Sequence, residues 1–167
     1  MKKLVLTLLM FAPMVTFAQG KFGHLNVQEV ITAMPEYATA RTKLETLQKT
    51  YENDLKIMQD EFTKKSQDYE AAHDSLPETI RQRRETELQE MYQKIQQAYQ
   101  DNQQDLQTQY QTEFQPVTAK CVEAIKAVGD EGGYVYIMDV SGGAIPYIST
   151  SLSTDVTSLV KAKLGIK

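Results

Sequence analysis

The chain has 167 residues, with 18 Lys and Arg against 22 Asp and Glu, a net charge of −4 and one cysteine. That length sets a prior of one compact domain. The acidic balance argues against nucleic-acid binding through a general positive field, and a lone cysteine leaves no internal disulfide.

Lys2 and Lys3 precede an apolar run from Leu4 to Phe17 in which only Thr7 and Thr16 are polar. Thr16-Phe17-Ala18 then offers a cleavage site. The pattern predicts a signal peptide over 1–18, cut between Ala18 and Gln19, and an exported protein. The run is shorter than the roughly 20 residues of a spanning helix. A buried N-terminal helix is the other reading of this segment. Loss of Lys2 and Lys3 takes the net charge from −4 to −6.

Phe22 to Val27 reads as a strand within a short apolar-rich opening. From Pro35 to Val128 the chain is charged or Gln-rich and holds no glycine, as expected of long helices. Tyr37, Leu44, Tyr51 and Met58 recur every seven residues, as do Leu55, Phe62, Tyr69 and Leu76. Together they make one apolar helix stripe. Glu45–Lys49, Glu52–Lys56, Asp60–Lys64 and Glu61–Lys65 are acid-before-base pairs at i,i+4.

Ser75-Leu76-Pro77-Glu78 interrupts the stripe. Ser75 and Glu78 have capping-box spacing, and Pro77 suits a first turn. This predicts a turn near Asp74–Ser75 and a new helix beyond it, with one kinked helix as the alternative. The second stripe runs through Leu88, Met91, Tyr92, Ile95, Tyr99, Leu106, Tyr110, Phe114, Val117, Cys121, Ile125 and Val128. Pro116 predicts a kink or break in it. At 1.5 Å per residue the first helix is about 60 Å long and the second longer. Folded back on each other they form an antiparallel coiled-coil hairpin that projects into solvent.

Tyr134 to Val140 is rich in strand formers, Ser141-Gly142-Gly143 reads as a turn, and Ala144 to Ile148 as a returning strand. Ser153 is placed as the cap of a last helix with Val156, Leu159, Val160 and Leu164 on one face, ended by Gly165. The predicted class is α+β: a β-rich oligomerisation body from 19–34 and 117–167, with a helical-hairpin arm, 35–116, inserted. Such a body is small for its own core, which points to oligomerisation through its strands. The residues assigned to that role are Leu25, Val27, Val135 and Ile137.

No arrangement of residues for chemistry emerges: no catalytic, cofactor-binding or metal-binding residues are assigned. A phosphate-loop motif is absent. His24 and His73 stand apart without metal-ligand spacing. Ser141-Gly142-Gly143 lacks nucleophile-elbow order, and Asp139 reads as a turn or edge residue. Cys121 reads as a buried small hydrophobe rather than a reactive thiol. Gln89 to Gln115 holds eleven glutamines with Tyr92, Tyr99 and Tyr110 interleaved. The tyrosines fit either the seam between helices or a soft amphipathic wall for other chains. Tyr92, Tyr99, Tyr110, Phe62 and Tyr69 are the candidate binding residues on the arm.

KFGHLNVQEVITAMPEYATA, GGYVYIMDVSGGAIPYIS and SLSTDVTSLVKAKLG, in that order around a glycine-free insert, resemble the opening strand, closing hairpin and terminal helix of the Skp/OmpH family. The likeness covers essentially the whole mature chain, and no single motif in it is highly specific. It implies a periplasmic, ATP-independent holdase that binds unfolded outer-membrane proteins. It also implies a jellyfish-like homotrimer whose arms enclose a cavity. A coiled-coil spacer or adaptor in an envelope complex is the alternative. The family's best-studied members are basic, with positive arm tips. Here the tip from Lys64 to Glu90 holds five basic and seven acidic residues, which argues against membrane or lipopolysaccharide contact through it.

Overall fold

The structure, a computed structural model, describes residues 20–166. The predicted signal peptide lies outside the described residues. The element order is β1 (Lys21–Leu25), α1 (Val27–Ala33), α2 (Pro35–Ala72), a 3₁₀ turn (His73–Ser75), α3 (Glu78–Gly132), β2 (Tyr134–Asp139), β3 (Ser153–Asp155) and α4 (Thr157–Lys163). The architecture is α+β, with a long helix pair inserted into a small three-stranded body.

Prolines set the ends of the arm helices. Asn26 caps α1, its side chain accepting from Glu29 N at 3.0 Å. Pro35 then disfavours a helical Met34, which is extended at φ −72, ψ 132, and α2 restarts with Pro35 in its first turn. At the far end Pro77 holds Leu76 extended at ψ 140, and α3 begins at Glu78. The expected capping box does not form. Ser75 Oγ donates back to the Ala72 carbonyl at 2.7 Å, and Glu78 instead accepts from Gln82 at 3.0 Å and pairs with Arg81. Pro77 shifts the helix start past the register that a box would need.

The arm is antiparallel. Polar pairs cross from α2 to α3 at Glu36–Lys120, Lys43–Glu113 (2.9 Å), Tyr51–Asp105 (2.5 Å), Lys65–Glu87 (2.6 Å) and Tyr69–Glu85 (2.5 Å). As numbers rise along α2, those of the partners fall. Of the four i,i+4 pairs expected on α2, only Glu61–Lys65 forms, at 3.4 Å. Glu45 is taken by Arg41 at 2.7 Å, and Lys56 turns toward Asp60 at 3.0 Å.

Pro116 does not break the second helix: α3 runs unbroken through it. Its ring removes one donor from the ladder. The Lys43–Glu113 bridge holds α3 on the arm side of it, and Val117 and Cys121 hold it on the body side. Val117 is the first α3 residue from the tip to enter the body core. Gly133, at φ 64, ends the helix in the left-handed conformation that glycine adopts without strain.

The sheet order is β2-β1-β3, and both pairings are parallel. This corrects the expected hairpin: Ala144 to Ile148 has no strand structure, and the third strand is Ser153–Asp155 on the far side of β1. Pro146 denies the predicted return strand a ladder donor. Ser153 therefore lies in a strand and does not cap α4. Val156 stands at the cap position, and Asp155 before it accepts from Thr157 N, the first amide of α4, at 2.9 Å. Asp139 ends β2 on the opposite edge of the sheet, accepting from Ser141 N at 2.8 Å and Val27 N at 3.3 Å.

One core lies beneath the sheet. Leu25, Val30 and Met34 meet Val117, Cys121, Ala124 and Val128 of α3 and Val156 and Val160 at α4. Spacings of three and four keep the α3 residues on one face. Leu159, expected on the buried face of α4, is exposed, because Val156 and Val160 already fill the contact one turn apart.

Candidate functional site

Two surfaces stand out, the length of the arm and the outer face of the sheet. On the arm, full burial is rare. Only Ala40 of α2 and Ile95 of α3 are buried between residues 35 and 116. The rest of the seam is half-buried: Leu44, Leu47, Tyr51, Leu55, Met58 and Phe62 facing Leu88, Met91 and Leu106. Such a hairpin contributes little apolar burial per residue, and polar pairs cross it from base to tip.

The candidate aromatic residues divide into two groups. Phe62 and Tyr69 are half-buried parts of the hairpin. Phe62 packs on Tyr92 with ring centroids 6.3 Å apart, and Tyr69 sits edge-on to His73 at 5.5 Å while donating to Glu85. Tyr92, Tyr99 and Tyr110 are 54%, 53% and 59% exposed. Ile95 and Leu106 occupy the seam, and these three rings lie along its margin. Near the base, Phe114 joins Tyr110 (4.6 Å) to Tyr37 of α2 (5.2 Å) in a three-ring cluster. Tyr37 and Phe114 belong to the stripes read from the sequence, but nothing in their spacing marks them as a cluster.

At the tip, three of the five basic residues are paired. Lys65 contacts Glu61 and Glu87, Arg84 reaches Glu87 at 3.4 Å, and Arg81 pairs with Glu78. The bond from Lys65 holds the Glu87 carboxyl below its ordinary range, and that from Arg81 does the same for Glu78. At the base the bond from Lys120 lowers Glu36. The carboxylates of Asp105 and Glu85 push the phenols of Tyr51 and Tyr69 up.

On the body, helices cover one face of the sheet and leave the other open. Leu25 is 1% exposed and points into the protomer's own core, so its side chain offers no surface to another chain. Ile137 and Val27 also pack against that core. Val135 is exposed: it is the extra residue where the β1–β2 register slips between Lys21 and Phe22. The open face carries Phe22 (40% exposed) and Tyr136 (61%), stacked at 6.3 Å with 8° between planes, and Met138. His24 lies there too, its Nδ1 sharing a 2.8 Å hydrogen bond with Ser153 Oγ. Phe22, Tyr136 and Met138 are thus added to the assembly candidates.

Cys121 is fully buried, and burial pushes its thiol up, with Asp139 adding to the effect. Among the described residues no group of three or more His, Cys, Asp or Glu side chains is placed to hold a metal ion, and no helix is long and apolar enough to cross a membrane.

A small α/β body carrying a long two-helix arm is the class that this fold defines. The chain belongs to the OmpH-like family: residues 21–164 match the family described as outer membrane protein (OmpH-like). The fold is similar to that of a solved OmpH-like protein from Caulobacter crescentus CB15, described as a candidate outer membrane chaperone. The TM-score is 0.75 at 14% identity, over 88% of this chain and 85% of that one. No curated protein matches the sequence significantly.

Proposed function

We propose that the protein is an ATP-independent periplasmic holdase that binds unfolded outer-membrane proteins and prevents their aggregation. The observation that carries this reading is the arm. It projects a long surface, rich in Tyr and Gln, that the body's core does not use. Membership of the OmpH-like family supports the same class. The predicted signal peptide supports export.

The protomer functions as a homo-oligomer, with a trimer implied by the family resemblance. All-parallel sheets are ordinarily covered on both faces, whereas here Phe22, Tyr136 and Met138 lie bare on one. Covering them with further copies sets several arms side by side around a shared space. Three of the tip's five basic residues, Lys65, Arg81 and Arg84, are tied to neighbouring carboxylates, which supports a client surface that does not rely on anionic lipid or lipopolysaccharide.

The test is light scattering of an unfolded outer-membrane β-barrel diluted from urea with the mature protein and no nucleotide. Suppression at near-stoichiometric protein is expected, and it should extend to unrelated barrels. Binding to one defined envelope partner, with no suppression, would favour the spacer or adaptor reading.

A further inference from the structure

The eleven glutamines of Gln89 to Gln115 are not spread evenly around α3. Successive helical residues lie about 100° apart, which allows every charged side chain between Gln89 and Thr118 to be placed. Glu90, Lys94 and Asp101 fall on the side away from the tyrosines. Asp105 and Glu113 turn into the seam, where Tyr51 and Lys43 bind them. The rest of the circumference carries no charge, and the part of it beside the seam is a sector about 120° wide. Tyr92, Gln96, Tyr99, Gln103, Gln107 and Tyr110 form its axis, and all six are exposed. In a chain that is 24% charged this is a sharp local departure.

The amides of the sector are open, and of those outside it two are occupied. Outside it, Gln97 donates to Asp101 at 2.8 Å and Gln109 to Asp105 at 3.5 Å. Among the described residues Gln96, Gln103 and Gln107 make no side-chain hydrogen bond. Each therefore presents a free donor and a free acceptor, the two functions of a peptide group. The rings beside them supply apolar area.

We infer that this uncharged Tyr/Gln sector of α3 is a docking wall for one extended, uncharged stretch of an unfolded chain, about the length of a membrane β-strand. The inference rests on the holdase reading and specifies which surface grips and what it grips. Tyr92 to Tyr110 spans about 27 Å of helix, and an extended chain covers that distance in about eight residues. A membrane strand has about 9–11 residues and alternates apolar with small polar side chains. Such a strand brings backbone N–H and C=O groups to the glutamines and apolar side chains to the tyrosines. It brings no charge, so the wall leaves no bound carboxylate or ammonium without a partner. A Lys-bearing segment finds no counter-ion in the sector and is rejected.

The experiment uses the full mature chain. The probes are two labelled peptides of about twelve residues, a membrane strand's length. One alternates Thr or Ser with Val or Tyr, and the other carries Lys at three of the polar positions. Affinity is read by fluorescence anisotropy at low and high salt, beside barrel-aggregation assays and sedimentation. The neutral peptide should bind with little salt dependence and the Lys peptide more weakly. Gln96→Glu/Gln103→Glu/Gln107→Glu adds three charges with good helix formers. It should weaken the neutral peptide by about tenfold or more, since each carboxylate loses water for no partner. Gln104→Glu/Thr108→Glu/Gln115→Glu, on the far side of α3, should leave its affinity unchanged. If the parent chain suppresses barrel aggregation but neither triple variant affects peptide binding, the docking wall is refuted and the holdase reading stands. If the parent fails to suppress aggregation, both fall. A change of assembly mass confined to the first variant would show that the sector packs against another copy, and would overturn the inference.

Discussion

Midway along the arm, the Tyr51 hydroxyl of α2 donates a 2.5 Å hydrogen bond to Asp105 of α3. It crosses a stretch of hairpin that buries only Ile95 fully. Tyr51→Phe keeps the ring in the half-buried seam and removes only the donor. It should destabilise the arm by about 1 kcal/mol, the usual net value of a hydrogen bond with some gain for its charge. Asp105→Asn should cost a similar amount, and the double variant less than the sum of the two. Urea unfolding followed by circular dichroism measures all three. Full additivity would show that the bond carries no coupling energy.

Acid should loosen the arm. Glu36, Glu78 and Glu87 are held below the ordinary glutamate range by their bonds from Lys120, Arg81 and Lys65. A carboxyl whose folded pKa is depressed contributes stability that is present above its unfolded value, about 4.3. That stability is lost as pH falls through the folded value. All three groups are solvent-exposed, so each effect is small and screened by salt. Melts at neutral pH and at about pH 3 should show the acid form melting lower, with a smaller gap at high salt. Glu36→Gln with Glu87→Gln should narrow that gap. An unchanged gap would place the acid sensitivity elsewhere, with Asp139 and Asp155 of the body as the next groups to test. Their carboxyls are also lowered: burial raises Asp139, but bonds from Ser141 and Val27 outweigh it, and the Thr157 bonds lower Asp155.

Two neighbours on β2 should separate folding from assembly. Ile137 packs against the protomer's own core, so Ile137→Asp buries an unpaired charge there and should cost several kcal/mol, unfolding the body. Tyr136 lies on the open face, stacked on Phe22. Tyr136→Asp should leave each protomer folded and reduce the mass of the assembly. Sedimentation beside circular dichroism reads both quantities. A Tyr136→Asp protein of unchanged mass would remove this face from the interface.

The arm's beginning and its turn were legible because proline acts locally. Pro35 and Pro77 restrict their preceding residues wherever the chain goes, and both helix starts follow from them. The glycine-free run and the two stripes likewise required a long helix pair. The sheet was not legible in the same way. Its register joins Lys21 to Tyr134 and Phe22 to Ser153, residues on opposite sides of the arm. A local reading favours a hairpin at Ser141-Gly142-Gly143, because turn residues between β-formers carry no record of a distant strand. Pro116 misled for the converse reason. Its local cost is real, about 3 kcal/mol in a helix interior, but packing on either side keeps α3 whole. On the arm, helical spacing alone could not divide the tyrosines. Tyr92 and Ile95 are neighbours on one stripe, and only the position of α2 decides that Ile95 is covered and Tyr92 is not.

Removing the arm should abolish client holding and spare the body. Lys49 and Gln107 stand nearly opposite each other, beyond the Lys43–Glu113 bridge and short of the Tyr51–Asp105 bond. Deleting Lys49 to Gln107 and closing the gap with a short Gly-containing turn therefore keeps the base of the hairpin in register. The retained stub includes the Tyr37–Phe114–Tyr110 cluster and the Glu36–Lys120 pair. Every residue of the buried body core lies outside the deletion: Leu25, Val30 and Met34 before it, and Val117 through Val160 after it. The open sheet face with Phe22 and Tyr136 is also retained, so assembly should persist with a proportionately lower mass. Tyr92, Tyr99, Gln96, Gln103 and Gln107 are lost. The shortened protein should melt cooperatively, sediment as an oligomer and fail to keep a diluted β-barrel from scattering light. Tyr99→Ala in the intact chain should weaken client binding by less than about 1 kcal/mol, because a grip spread along a wall has no dominant anchor of 2 kcal/mol or more. Loss of all holding in Tyr99→Ala, with fold and mass intact, would point to a single specific site and so to an adaptor. Full holding activity in the armless protein would move the client surface onto the body, and the arm would then need another purpose.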